Sequence, residues 1–573
     1  MALTPAPVAP TPVSAAPWSS VHCFLRWRPE HTDAFVTGTL APLMEALCAA
    51  GRIEGWFFVR YSEHGHHLRI RALGADPATT KELCEQLAEA VRAAPYSVEP
   101  ADRGAAGGPE APRGHGEVCE SRYEPETERY GGAAALPIAE EVFCRSSAIA
   151  TAAVARTPEP ARRLAAATDF ILATAIALDL DPLGTVRWLR RGAIAWRRHP
   201  DATALAPTTV QGSALEVAAA QSAAVVRRWH DIHASDGSGT RLRDQWAACV
   251  RTARARLEPD AEADTEADRE RWLQVWSSQL HMLLNRMGVL PDEERSLQWF
   301  IASSLLAPEG TTDFFADHPA AVDRRYLDAS NFAPSRMEWQ QPRNAPRAPQ
   351  QPPRSPFAGP PVALPAGAPP SMPLAEAMTR RSSARGELGP DLRAEELGTL
   401  LWSAHAGQAE ADAHGRVPRP YPSAGASYAA RLRLIVREVE GLSPGTYELD
   451  PVSRTMLPIG AAPTTDELAA AYVGFGRQAL PGQYLDVSAV PALVGLYVDL
   501  GALRERYGLR ALRFAFLEAG HLAQNLALTA AATRLSLVTV GGFYDDVAHE
   551  LFMLDGVDEV LAYLLPVSRR RSE

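Results

Sequence analysis

A chain of 573 residues is too long for one hydrophobic core and sets an expectation of two or three domains. Its 46% hydrophobic and 22% charged residues are ordinary for a soluble globular protein, and its net charge of −11 argues against unaided nucleic-acid binding. No apolar run approaches the roughly 20 residues needed to span a bilayer.

In chain order, residues 1–17 are rich in alanine and proline. They lack a charged start and an apolar core, so they read as a disordered tail and not as a signal peptide. Trp56–Tyr61 and Leu68–Arg71 alternate as strands do, with a turn at Ser62–Gly65. That alternation puts Arg69 and Arg71 on one strand face, where two guanidinium groups can hold carboxylates bidentately. His64, His66 and His67 invite a metal, but no second group of ligands accompanies them, and no metal is expected. Lys81 is the only lysine, so no other side-chain amine can serve as a Schiff-base nucleophile or lysine base. The six cysteines (Cys23, Cys48, Cys84, Cys119, Cys144 and Cys249) form no Cys-x-x-Cys pair, as expected of reduced thiols in a cytosolic protein. Alanine-rich helical stretches follow, such as Ile149–Ala155 and Leu164–Ala177.

Residues 333–373 are dominated by proline, alanine and glutamine and read as a semi-rigid spacer between a front domain (18–332) and a back domain (374–570). The back domain opens with a short helix ending near Met378 and an arginine–serine run. Strands are predicted at Arg431–Arg437 and Ala492–Val498, and a helix at Phe514–Ala531. Phe516, Ala519, Ala523, Leu526, Ala527 and Ala530 recur at helical spacing, a stripe of mostly small residues suited to close packing or a subunit interface. The expected class is α+β.

Three blocks in the front domain occur in a telling order. They are Trp56–Arg71 with Arg69 and Arg71, Tyr123-Glu124-Pro125-Glu126-Thr127-Glu128-Arg129-Tyr130-Gly131-Gly132, and Leu280-His281-Met282-Leu283-Leu284-Asn285-Arg286. Together they resemble the glutamate-elimination domain of class I lantibiotic dehydratases, with Ala101–Glu117 as an insertion. The resemblance implies expulsion of glutamate from glutamylated Ser or Thr of a precursor peptide, leaving dehydroalanine or dehydrobutyrine. It assigns Arg71 and Arg129 to the glutamyl group, Glu126 to ordering the site and His281 to moving the proton, with Arg69 and Arg286 contacting substrate. β-Elimination needs a base at the α-carbon and charge compensation for the departing carboxylate. The glutamylation domain of full dehydratases is missing, so a separate tRNA-dependent glutamylation protein is implied. A pyridine-forming cycloaddition enzyme, or a module that only binds peptide, are the alternatives for this half.

The back domain carries Arg381, Ser383 and Arg385 as R-x-S-x-R (with Arg380 and Ser382 as another register), Pro422-Ser423-Ala424-Gly425, Glu518-Ala519-Gly520-His521 and Gly541-Gly542-Phe543. These runs resemble the nitroreductase superfamily, and within it the azoline oxidases of ribosomal peptides. The resemblance implies FMN, its phosphate held by Arg381, Ser383 and Arg385 with Arg569 or Arg570. Pro422, Ser423, Ala424, Gly425, Asn525, Gly541 and Gly542 would lie about the rest of the flavin. Related oxidases often have a Lys-Tyr pair where this chain has Arg506-Tyr507. Arginine is a poor base, so Tyr507 would take part in proton removal with Arg506 lowering its pKa. Glu518, His521 and Gln524 or Asn525 are further candidates. The whole reads as a bifunctional thiopeptide-tailoring enzyme, acting with a cyclodehydratase and dimerising through the back domain. A general NAD(P)H-dependent nitro or quinone reductase is the rival for the back half.

Overall fold

A computed structural model describes residues 17–62, 64–100, 113–199, 203–234, 241–258, 265–307, 315, 318, 321–332, 355, 358–384, 388–389, 391–407, 417–476 and 484–570. Residues 1–16, most of the insertion 101–117 and Arg385 lie outside the described residues. The chain divides into two compact units: Met1–Trp188 with Ala218–Leu305, and Leu189–Val217 with Leu306–Glu573.

The first unit is built on an antiparallel sheet of β1 (Trp18–Phe24), β2 (Gly55–Tyr61), β3 (His67–Leu73) and β4 (Val118–Glu120), in the order β2-β3-β1-β4. The predicted turn closes the β2–β3 hairpin, Gly65 N donating to Ser62 O at 3.0 Å. Strand side chains alternate between faces. Val21, Cys23, Phe58, Leu68, Ile70 and Ala72 therefore point into a core with helices Pro29–Phe35, Ala41–Ala49 and Pro77–Ala93. Ser20, His22, Phe57, Arg69 and Arg71 go to the other face, Ser20 opposite Arg71 and His22 opposite Arg69.

The helix Glu266–Arg286 carries the third sequence block. Thr265 and Asp268 form a capping box at its start, a feature worth about 1 kcal/mol. Gly288, at φ +77°, ends it in a left-handed conformation that costs glycine little. Asn285 joins this helix to β2 by exchanging two hydrogen bonds with the Arg60 backbone, at 2.9 and 3.0 Å.

The second unit has a larger sheet. Its strands are β5 (Val362–Ala363), β6 (Leu388–Gly389), β8 (Ala430–Val436), β10 (Gly445–Asp450), β11 (Thr455–Gly460), β12 (Ala492–Asp499), β13 (Leu535–Leu537) and β14 (Glu559–Arg570). The order is β13-β14-β12-β8-β10-β11-β5, with β6 against β14; β7 (Leu392–Arg393) and β9 (Val439–Glu440) pair separately. The predicted long helix runs Ala511–Thr533, burying Ala515, Ala519, Leu522, Ala523, Leu526 and Ala530, while Phe516 is exposed.

The spacer expected to end at 373 gives way earlier. Val362–Ala363 pairs with Thr455–Met456, and Leu364 O accepts from Trp402 Nε1 at 3.0 Å. Val322–Ala329, assigned to the front domain in sequence, also belongs to the second unit: Arg510 donates to Ser330 O and Tyr326 to Leu509 O. Both segments find backbone acceptors and donors there, which composition does not reveal. Among the described residues, no helix is long and apolar enough to cross a membrane.

Candidate active sites

In the first unit, Arg71 is 7% exposed and forms no ion pair among the described residues. Its guanidinium lies over the Tyr123 ring at 5.3 Å and, among the described residues, donates only to Ile70 O, at 3.4 Å, with Nε left without a hydrogen-bond partner. Burial, with Arg69 adding to it, pulls its pKa down to about 10. Ser20 Oγ and His22 Nε2, on the same face, are likewise buried without a hydrogen-bond partner among the described residues. Burial, then Arg71, His67, Arg69 and Arg113, lower His22 to about 3, so it is a neutral imidazole among cations. Buried polar groups are rarely left unsatisfied, so this face is suited to an anionic ligand.

Glu126, just before the short 3₁₀ turn Thr127–Tyr130, pairs with Arg129 on it at 2.8 Å, and Arg129 Nε donates to Ser278 at 3.2 Å. One turn beyond Ser278, His281 Nδ1 lies 2.7 Å from Glu294 Oε2. Burial alone would lower the Arg129 pKa, but Tyr130, Glu126 and Glu294 together raise it. The expected residues Glu126, Arg129 and His281 are thus brought into one electrostatic cluster. A wall of rings runs from Tyr123 through Phe57 (6.1 Å) and Phe143 (5.2 Å) to Tyr130 (4.8 Å), beneath Arg71 at one end and Arg129 at the other.

Arg286, expected to bind substrate, is a correction. It is fully buried, donating to Phe58 O at 2.6 Å and Ser146 Oγ at 2.9 Å, and so ties the helix to β2. Arg69 stacks on Tyr61, 3.4 Å from the ring centre, and donates to His67. His67 itself stacks on Phe24, and among the described residues no cluster of three or more His, Cys, Asp or Glu could hold a metal. Glu294, Ser20 and His22 were missed. Glu294 is one of three acids opening the helix Pro291–Leu306, and nothing along the chain distinguishes it from Asp292 and Glu293.

In the second unit a cleft of about 150 Å³ is lined by Arg381, Ser382, Ser383, Gly520, Ala523, Gln524, Thr539 and Tyr563, among others. Arg380 pairs with Glu376 at 2.6 Å, which leaves Arg381 and the two hydroxyls for the cleft. These groups suit a phosphate: a cation and two donors over a floor kept open by small residues. Arg569 is held by Glu396 at 2.6 Å and does not line the cleft. Gly541 adjoins the lining residue Tyr563, and a Cβ on Gly542 would meet nothing within 4 Å.

The Pro422–Gly425 loop lies elsewhere. Ser423 Oγ donates to Glu518 Oε2 at 2.5 Å, Ala430 N to Glu518 Oε1 at 2.9 Å, and Asn525 Nδ2 to Pro420 O at 2.7 Å. Burial raises the pKa of Glu518, and the Ser423 and Ala430 donors oppose it. Gly425 sits at φ +59° against Arg506 and Tyr507; a Cβ there would collide with the Tyr507 hydroxyl. The structure therefore joins the expected Arg506–Tyr507 pair to the expected loop. Of the further candidates, Glu518, His521 and Asn525 share one helix face and Gln524 lies on another. At 100° per residue, Glu518 and Asn525 fall opposite Gly520, Ala523, Gln524 and Ala527, so the helix separates loop from cleft.

Residues 18–305, half of the chain, match the family described as "Lantibiotic biosynthesis dehydratase C-term", and residues 378–568 match the "Nitroreductase family". The protein MJ1384 of Methanocaldococcus jannaschii, named as a nitroreductase, is 28% identical over 197 residues, 34% of this chain and 91% of that one. A solved Anabaena variabilis protein, also named as a nitroreductase, is 27% identical with a TM-score of 0.29. The match covers 35% of this chain and only 38% of that protein's length. The pyridine synthase TbtD from thiomuracin biosynthesis is 17% identical with a TM-score of 0.41, covering 50% of this chain and 97% of that one.

Proposed function

Because this chain belongs to the lantibiotic biosynthesis dehydratase C-term family through residues 18–305 and carries a nitroreductase-family domain at 378–568, we propose that it is a bifunctional tailoring enzyme of a ribosomal peptide. The first unit eliminates glutamate from glutamylated Ser or Thr, and the second oxidises azolines to azoles with FMN. The observation that carries the elimination is Arg71, a buried guanidinium without a carboxylate partner among the described residues, in the same unit as a carboxylate-buttressed histidine.

With Nδ1 directed at Glu294, His281 has Nε2 as its basic nitrogen. It takes the α-proton of the esterified residue; the C–H electrons form the Cα=Cβ bond, and the Cβ–O bond breaks to release glutamate as a carboxylate. Arg71 and Arg129 offset that developing charge, and Glu126 orients Arg129.

In the second unit, Arg381, Ser382 and Ser383 would hold the phosphate of FMN, and the bound flavin supplies the hydride acceptor. Tyr507, packed beneath Gly425 with Arg506 beside it, is the group for proton removal. Loop and cleft lie on opposite faces of one helix, which supports a homodimer in which each copy completes the other's site. Phe516 and Leu517, 47% and 60% exposed, lie on the cleft side of that helix. The glutamylation step and azoline formation fall to a separate tRNA-dependent protein and a cyclodehydratase.

The test is intact-mass analysis of a core peptide carrying one thiazoline and one glutamylated serine. Loss of glutamate and of two hydrogens supports both activities. Loss of hydrogens alone would reduce the first unit to cycloaddition or peptide binding. Flavin reduction by NAD(P)H without azoline turnover would make the second unit a general reductase.

A further inference from the structure

The segment Leu189–Val217 lies inside the 18–305 match, yet it belongs to the second compact unit. Among its described residues, it supplies three buried polar side chains there: Arg190, Arg197 and Gln211. Gln211 Nε2 donates to Asp546 O at 2.8 Å, and Arg190 Nη2 lies 3.4 Å from Asp546 Oδ1. Arg190 Nη1 also donates to Asp555 O at 3.1 Å, and Arg191 Nε is 3.5 Å from Asp555 Oδ2. Asp546 is in the first turn of the helix Asp545–Leu551, and Asp555 closes the loop beyond its end, accepting from the amides of Val557, Asp558 and Glu559. Arg190 thus holds both ends of this two-turn helix. Arg197 adds an ion pair to Glu467 at 2.9 Å.

Directly before that helix runs Thr539 to Tyr544. Thr539 lines the cleft, but the Gly541–Gly542 step has no side chains of its own to hold it. A helix this short cannot hold itself by its own hydrogen bonds either. The orientation of the loop is therefore set by whatever grips the helix. We infer that Arg190 and Gln211 are positioning residues of the flavin site: they hold the helix Asp545–Leu551, and through it the Gly541–Gly542 loop, against the cleft. The oxidising half then depends on a segment that sequence assigns to the eliminating half.

This inference rests on the FMN reading. The test uses the full-length protein, with FMN titrated into the apo form and followed by flavin fluorescence and visible circular dichroism. Arg190→Met should weaken FMN binding about tenfold, as the loss of a charge-assisted contact implies, and change the flavin spectrum. Gln211→Ala should do the same to a smaller degree, and Arg190→Lys should recover part of the affinity. Arg162→Met, on the surface of the first unit, should leave both readouts unchanged. If Arg190→Met does not fold, Gln211→Ala decides the matter. FMN affinity and spectrum equal to wild type in the folded variants would overturn the inference and leave the FMN reading intact. A wild-type protein that binds no FMN would overturn the FMN reading itself, and the inference with it.

Discussion

His281 and Glu294 form a dyad: imidazole Nδ1 lies 2.7 Å from a carboxylate oxygen of a side chain only 3% exposed. Such a partner fixes the tautomer and steadies the imidazolium once it has taken a proton. Glu294→Gln keeps the size and removes the charge. Elimination kcat should fall by about 10²-fold with KM nearly unchanged, the scale of a general acid–base contribution. An unaltered kcat in steady-state assays would remove Glu294 from the site.

Arg71 should show a trade between stability and activity. Burying a cation without a carboxylate partner is costly, so Arg71→Met should hold or raise Tm in thermal melts. The same change should lower kcat/KM for elimination by about 10–100-fold, the loss expected for one charge-assisted contact. Arg71→Lys keeps charge but not the planar fork, and should restore only part of the rate. A destabilised Arg71→Met with full activity would contradict the assignment.

His22 makes the first unit sensitive to acid. Its folded pKa of about 3 lies below the ordinary 6.5, so below pH 6.5 the unfolded chain binds a proton that the folded chain refuses. Stability from this group is therefore complete above pH 6.5 and declines as pH falls toward 3. His22→Gln should flatten that part of the Tm–pH curve. An unchanged acid slope would show that the burial of His22 does not matter to folding.

Gly425 has both a left-handed backbone and no room for a methyl group beside Tyr507. Gly425→Ala adds about 1 kcal/mol of backbone strain and displaces the loop from Tyr507. Azoline oxidation should drop while glutamate elimination by the same preparation persists. Equal loss of both activities would point to global unfolding instead.

Arg381 is the cation of the cleft and has no ion pair among the described residues. Arg381→Ala should weaken FMN binding by about 10–100-fold with little change in Tm of the apo protein. Retention of flavin through gel filtration at wild-type ratio would exclude Arg381 from phosphate binding.

Much of this was legible along the chain. The alternation across Leu68, Arg69, Ile70 and Arg71 suffices to put the arginines on the face away from the core, because period two is a property of the extended backbone itself. The order of the quoted blocks carried both family assignments, and the run Pro422–Gly425 marked a loop whose small residues allow close backbone approach. Arg286 shows the limit. The resemblance carried by His281's block, which Arg286 closes, implies a ligand for substrate, but its acceptors are a strand carbonyl and a serine on another helix, at separations of 228 and 140 residues.

The partners of charged groups are where sequence fell silent. Glu294 is told from its two acidic neighbours only when its helix presents it to His281. Arg190 and Arg197 look like any helix arginines until chain 365 and 270 residues away brings Asp555 and Glu467 to them. Face, turn and cap follow from local backbone geometry, which a few neighbouring residues decide. Which charge meets which depends on how distant elements pack, and no local pattern carries that information.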